Sequence, residues 1–291
     1  MKIIDTTTFF EEKLMMEIRF NILDEYVDNF IICESTFTHS GQKKKINFNP
    51  NDYPRFKSKI IHLIQEKEPK DLLEEIDNNY SNIRNNSIQR IIYQRNFIQN
   101  SLKNFSSDDY IIYSDNDEIP NLKDFNFNKN KNKIIIFKQK LFYYKFNLCI
   151  LNIPWFGSKA CKIKDLKSIS WLRNIKNKNY NPFRMDTLFS DTKYNNVKIV
   201  VNGGWHFSNL KSAADLEKKY LNDENYGEYA SQNHSINEIK DNIKNKTIGY
   251  NHSAKSNSKE RFSKTKLSSV DLISLPDYLK KNKEKYPEWF D

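Results

Sequence analysis

Two short, almost uninterrupted apolar runs constrain this chain most: Val27–Ser35 (VDNFIICES) and Asp109–Ser114 (DYIIYS). Runs so short and so continuous read as strands buried on both faces, the habit of parallel sheets covered by helices. Ile3–Phe9 is a further strand, rich in β-branched residues. It leads into a helix over Glu11–Leu23, where Leu14, Met15, Ile18 and Ile22 recur at helical spacing. Lys59–Ile64 is another strand. Ser81–Lys103 is the strongest helix, with Ile88, Ile91, Ile92, Ile98 and Leu102 in one stripe. This β-then-α alternation predicts an α/β fold, a mostly parallel central sheet flanked by helices.

The second half is less regular. Lys133–Phe137, Lys140–Phe146 and Val197–Val201 read as strands, and Ala213–Leu221 as a helix with basic outer positions. The Lys/Asn/Ser-rich stretch Asp241–Lys266 reads as an exposed excursion, and Leu267–Phe290 as a closing, partly helical segment. No repeat or flexible linker divides the chain, so a single domain over 1–291 is expected.

Aromatics make up 14% of the residues and hydrophobics 38%, enough for a sizeable core. No stretch reaches the roughly 20 apolar residues that span a bilayer. Met1-Lys2-Ile3-Ile4-Asp5 lacks the apolar run of a signal peptide. Cys33, Cys149 and Cys161 are too scattered for a disulfide framework or a CxxC site. These features predict a cytoplasmic protein of a reducing compartment. The net charge of +10 invites a nucleic-acid or anion-binding module. However, the lysines are dispersed among asparagines, not drawn into a stripe. A basic surface also suits an anionic small substrate or peripheral contact with a membrane face.

The most informative segment is Tyr110-Ile111-Ile112-Tyr113-Ser114-Asp115-Asn116-Asp117-Glu118-Ile119-Pro120. A buried strand ends in three carboxylates and is stopped by proline. In open α/β sheets, ligands bind beyond the carboxyl ends of strands. Two aspartates one residue apart can share a hard divalent cation whose other positions take water and phosphate oxygens. Such a cation neutralises charge on a departing diphosphate. An acidic capping turn is the plain alternative. A dehalogenase-type phosphatase would need DxDx[TV], and Ile119 stands in the last place. No GxxxxGK[ST] and no GxGxxG occur, and with six glycines any phosphate must be held by metal and basic side chains.

At these residues the chain resembles glycosyltransferase family 17. Phe9-Phe10-Glu11-Glu12, with Leu14 and Glu17-Ile18-Arg19-Phe20, is similar to the family's FFNELDLLEIRL opening. Val27–Ser35 is similar to its VDKFVIVES strand, and Gln94-Arg95-Asn96 to its QRN. Ser114–Pro120 resembles SDVDEIP, Gly203-Gly204-Trp205-His206-Phe207-Ser208 resembles GGWHFS, and Leu275-Pro276-Asp277-Tyr278-Leu279 resembles a late LPxYI element. The resemblance implies a GT-A type nucleotide-diphosphosugar fold, manganese or magnesium, and inversion at the anomeric carbon. It further implies a UDP-sugar donor, with N-acetylglucosamine as the sugar, and a glycan or other hydroxyl acceptor. Residues 1–120 would then form the nucleotide-sugar half and 121–291 the acceptor side. The chain departs from the family at Thr38-His39-Ser40-Gly41, where Thr-Gly is usual. It departs again at Asn222, which stands where a histidine is expected before Asp223-Glu224.

Roles follow as expectations. Asp115 and Asp117 face metal and diphosphate, with His206 as a third ligand, since a neutral imidazole suits manganese. Arg19, Glu34, Arg95, Asn96 and Trp205 hold the donor, Arg19 through phosphate and Trp205 by stacking on a ring. Asp186 is expected to be the general base that takes the acceptor proton, with Glu118 holding a loop or a sugar hydroxyl. A metal-dependent nucleotidyl- or phosphotransferase would use the same cluster for a different reaction.

Overall fold

The computed structural model describes residues 1–74, 80–181, 183–187, 189–222, 235–248 and 265–291. The first half follows the apolar spacing closely: β1 (Ile3–Phe9), α1 (Lys13–Leu23), β2 (Asn29–Ser35), β3 (Ile60–Gln65), α2 (Tyr80–Phe97) and β4 (Tyr110–Tyr113). The long helix ends at Phe97, where the backbone tightens into a 3-10 turn over Ile98–Asn104. Its predicted apolar stripe is only half-buried at Ile88, Ile91 and Ile92, whereas Asn86, Ser87 and Gln94 are buried. Gln94 explains why a polar face can pack inward: its Nε2 donates to Cys33 O at 3.0 Å, satisfying the amide against β2.

The second half brings β5 (Glu118–Pro120), β6 (Ile134–Phe137), β7 (Gln139–Tyr143), β8 (Leu148–Trp155), β9 (Lys159–Lys162), α3 (Ile169–Asn174), β10 (Val197–Val200) and β11 (Gly204–Ser208). Helices α4 (Ala213–Tyr220) and α5 (Ile236–Lys244), strand β12 (Ser268–Ser269) and helix α6 (Asp277–Lys281) follow. Among the described residues the strands form a seven-stranded sheet in the order β10-β6-β9-β4-β1-β2-β3. It is mostly parallel, as expected, but β9 runs antiparallel between β4 and β6. A second sheet, β12-β8-β7-β11-β5, is largely antiparallel; of its strands the sequence marked β7, as Lys140–Phe146, but not the others. Most of its strands are short, β5 having only three residues, and β8 carries Pro154, which breaks the apolar pattern, within its run. The predicted excursion Asp241–Lys266 begins inside α5; residues 249–264 lie outside the described set. No described helix is long and apolar enough to cross a membrane.

What positions the acidic turn is the handover between the two sheets. β4 lies beside β1 with Thr6 opposite Tyr113, so the carboxyl ends of both strands open on the same edge. The chain then turns through Asp115-Asn116-Asp117 and leaves as β5, which pairs with β11 and sets Glu118 opposite His206. Gly204 has φ +127°, and a Cβ there would lie 2.1 Å from Ile119 O, so the close approach of β11 to β5 requires glycine. Below the turn, Phe20 of α1 packs edge-on against Phe30 of β2 at 4.8 Å. Burial of such side chains contributes roughly 1.5–3 kcal/mol each.

Candidate active site

Asp115 accepts four hydrogen bonds from three side chains. Its Oδ1 accepts from Arg95 Nη2 and from Tyr113 OH, both at 2.9 Å. Its Oδ2 accepts from Arg173 Nε at 3.0 Å and Nη2 at 2.9 Å. Arg95 Nε also donates to Tyr113 OH at 2.9 Å, so tyrosine and carboxylate form a relay. Burial alone would raise the Asp115 pKa, but Arg173 and then Arg95 outweigh it and hold the group well below the usual carboxylate range. With two guanidiniums on it, Asp115 is overcompensated, which offsets the charge of the neighbouring carboxylates and leaves Arg95 able to meet an anion in the cavity.

Asp117 faces His206, with Oδ2 and Nε2 3.2 Å apart. Burial, the largest influence, raises its pKa, but the charge and hydrogen bond of His206 together with Lys219 bring it below the ordinary value. His206 is buried on β11 under the Trp155 ring at 4.5 Å, and its Nδ1 has no hydrogen-bond partner among the described residues. Glu118 lies beneath the turn. Its Oε1 accepts from Trp155 Nε1 at 2.6 Å and from Arg173 Nη2 at 3.4 Å, and its Oε2 accepts from Asp115 N at 2.9 Å. Burial raises its pKa in spite of Arg173. Gly157 makes room for this carboxylate, since a Cβ there would lie within 2.5 Å of all three carboxyl atoms.

A cavity of about 490 Å³ opens above the turn, at the carboxyl ends of β1 and β4. Arg95, Asp115, Asn116 and Asp117 line it, together with Thr8, Phe9, Phe10, Glu11 and Glu12 from the end of β1 and the turn into α1. Gln94 and Ile91 of α2 form one wall, and Lys211, Asp215 and Lys219 another. His39 and Asn222, at the two places where the chain departs from the family pattern, also line it. Ser40 Oγ donates to Asn222 Oδ1 at 3.3 Å, so the two departures meet. Asp223 and Glu224 lie outside the described residues.

Several expected site residues sit elsewhere. Arg19 is fully buried, with Nε and Nη2 donating to the two Asp5 oxygens at 2.7 and 2.6 Å and Nη1 to Glu118 O at 2.8 Å. It braces α1 against β1 and β5 and, fully buried and outside the cavity lining, does not reach a phosphate there. Glu34 is buried away from the cavity, accepting from Lys44 Nζ, Asn47 N and Phe48 N. It therefore organises its own following loop. Asn96 Oδ1 accepts from Ser170 N at 2.9 Å, tying α2 to the start of α3. Trp205 turns away, its Nε1 donating to Ser274 O at 2.8 Å, and lines a separate groove. Asp186 is half-exposed and outside the cavity, with Arg184 at 2.8 Å and Lys193 at 2.7 Å. Hydrogen bonds from these two cations hold it well below the usual range, which makes it a weak base.

Arg173 was not anticipated: it stands alone in Trp171-Leu172-Arg173-Asn174, more than fifty residues from its carboxylate, and no local pattern marks it. Lys159 was missed too. Its Nζ donates to Arg173 O at 2.7 Å and to Ile175 O at 2.5 Å, satisfying the carbonyls at the end of the helix that presents Arg173.

The profile of glycosyltransferase family 17 matches residues 1–179 of this chain. That span includes Asp115, Asp117, Glu118, Arg95 and Arg173. No curated protein matches. Among solved structures, the chain is similar to HddC from Yersinia pseudotuberculosis at 11% identity, covering 69% of this chain and 90% of that one, with a TM-score of 0.31. HddC complexed with GMP-PN gives 0.33 at the same identity and coverage. Likeness this loose has no bearing on the site.

Proposed function

The chain belongs to glycosyltransferase family 17, and from that membership we propose that it moves a sugar from a nucleotide-diphosphate donor to an acceptor hydroxyl in the cavity above Asp115-Asn116-Asp117. The observation that carries this reading is the cavity itself. It lies at the strand ends where α/β sheets take ligands, and it is lined by Arg95 and two aspartates of the family-like motif. A GT-A type fold, a UDP-linked donor and N-acetylglucosamine as its sugar are proposed with it, on the family resemblance. The mostly parallel sheet supports the first of these.

The donor set can be tested for a divalent cation. Among the described residues no group of three or more His, Cys, Asp and Glu is preformed to hold a metal. Asp115 has both oxygens committed to arginines and tyrosine. Asp117 and His206 remain, side by side, and a shared cation would take Asp117 Oδ2 and His206 Nε2 in place of the contact these two atoms make at 3.2 Å. These two fit a manganese or magnesium ion that takes its other positions from diphosphate oxygens and water. Such an ion would neutralise the charge left on the departing diphosphate.

The chain's own residues have separate tasks in this scheme. Arg95, steadied by Asp115 and Tyr113, faces the anionic donor, and Arg173 keeps Asp115 from repelling it. Lys219, whose Nζ donates to Asn209 Oδ1 at 2.8 Å, adds positive charge on the opposite wall. An inverting transfer needs a base at the cavity wall. Of the lining carboxylates, Glu12 is tied to the backbone N–H groups of Phe10 and Glu11. Asp215 accepts from Ser212 Oγ at 2.7 Å. Glu11, which meets one exposed cation, Lys218, where Asp186 meets two and lies outside the cavity, takes the role of base.

Manganese and UDP together should raise the melting temperature more than either alone, by linkage. Asp117→Asn should abolish that joint gain. Equal UDP binding in chelator and in manganese would remove the cation from the scheme. Glu11→Gln should keep the joint gain while UDP release in the presence of acceptor falls by roughly two to four orders of magnitude. Near-normal turnover would assign the base elsewhere. Release of pyrophosphate from nucleoside triphosphates, with none of UDP from UDP-sugars, would point to a nucleotidyltransferase.

A further inference from the structure

The segment that joins α3 to β10 carries the two most exposed large apolar side chains among the described residues, Phe183 at 91% and Phe189 at 86%, with Met185 between them at 73%. We propose that this segment docks the protein on an anionic lipid membrane. Nothing in the proposed reaction uses it: none of the three side chains lines the cavity above the acidic turn. Three large apolar side chains, each more than 70% exposed within seven residues, exceed the single scattered exposures that are ordinary on a protein surface.

Local charge selects the partner. Four cations, Lys176, Lys178, Arg184 and Lys193, accompany two carboxylates in residues 176–193. Asp186 is neutralised by Arg184 and Lys193, and Asp191 by Lys167 at 2.7 Å. Lys176 and Lys178 have no carboxylate partner among the described residues, and Lys178 lies over the Tyr180 ring at 4.9 Å. Apolar tips beside unopposed lysines match an interface with acyl chains below and anionic headgroups around. A lipid interface accommodates several protruding apolar side chains at once, with no shaped pocket for each.

The segment is also anchored. Lys176 N donates to Thr192 O at 2.8 Å and Tyr180 N to Tyr194 O at 2.9 Å, so its two ends are joined. Trp171 Nε1 donates to Asp191 O at 2.7 Å, which fastens the segment to α3, the helix that carries Arg173. Membrane contact would thus be made by a part of the chain braced against the site.

The test is co-sedimentation of the full chain with vesicles of phosphatidylcholine alone and of phosphatidylcholine mixed with phosphatidylserine. The chain should pellet with the anionic vesicles and not with the neutral ones. Phe183→Ser and Phe189→Ser should each weaken binding by roughly ten-fold or more, and Lys176→Gln and Lys178→Gln by roughly five-fold each. All four variants should keep the parent melting temperature and the joint response to manganese and UDP, which separates this proposal from the assignment of the cavity. Absence of binding to anionic vesicles would overturn the proposal. So would full binding by the double phenylalanine variant, or a concentration-dependent dimer that the same substitutions dissolve.

Discussion

Arg173 shows how much one side chain can decide at this site. It grips one oxygen of Asp115 through two N–H groups and reaches Glu118 as well, so it compensates two carboxylates on opposite sides of the turn. Lysine would keep the charge but not the planar two-pronged grip. Arg173→Lys should therefore lower stability by about 1–2 kcal/mol, since Arg173 and Asp115 both keep some solvent exposure although Glu118 is buried. It should also slow sugar transfer by at least roughly ten-fold, as expected when a preorganised electrostatic contact is lost. Denaturant melts and UDP release measured on the same preparation check both effects. Wild-type transfer in this variant would mean that Arg95 suffices alone. Arg19 is the counter-example. An arginine near a strand end is a reasonable phosphate ligand from sequence, yet this one is spent inside the core on Asp5. Breaking such a buried pair costs about 3–5 kcal/mol, so its loss would appear as unfolding and not as weakened donor binding.

At the scale of elements, the arrangement of β9 and α3 is the least expected feature and the one the site leans on. β9 brings Lys159 into the core, where it lies 2% exposed opposite Tyr113 of β4 and Ile136 of β6. Burial first, and Arg173 second, push its pKa down to about 7, against the pull of Glu118 and Asp115. In the unfolded chain a lysine titrates near 10.4, by the ordinary value. Between those pH values the unfolded chain binds more protons than the folded one. Lys159 thus adds stability as pH rises from about 7 toward 10 and withdraws it as pH falls back through 7. The slope is at most about 1.4 kcal/mol per pH unit. Unfolding free energies of wild type and Lys159→Met should therefore diverge between neutral and mildly alkaline pH, the wild type gaining relative to the variant. A constant difference across that range would show that the amine does not titrate there.

For the whole molecule the question is what the +10 charge does. Many surface cations are paired at close range: Lys162 and Lys164 with Asp108, Lys123 and Lys280 with Asp277, Arg55 and Lys59 with Asp24. Three carboxylates in the acidic turn would repel a polyanion from the cavity edge. Binding to random DNA should then be weak and disappear near physiological salt, because non-specific affinity falls steeply as counterions compete. A salt titration of fluorescence anisotropy reads this directly. Sub-micromolar DNA binding at that salt would make the basic surface a nucleic-acid site after all.

The sequence by itself determined the elements of the first half and the place of the acidic turn. Buried strands such as β2 and β4 write their environment into nearly every residue, and a carboxylate cluster after such a strand is a local pattern. The family, too, is written in contiguous motifs. Tertiary structure alone decided which polar residues face the cavity and which are consumed in the core. Arg19 and Glu34 look like ligands from their neighbours in sequence, but their partners are Asp5 and the backbone at Asn47 and Phe48. Arg173 and Lys159 carry no local mark, because what defines them is a partner brought near by the antiparallel strand β9 and the short helix after it. Most of the second sheet was hidden for the same reason. Its short strands are stabilised by pairing across long separations, as Glu118 with His206 shows, and not by any periodicity of their own.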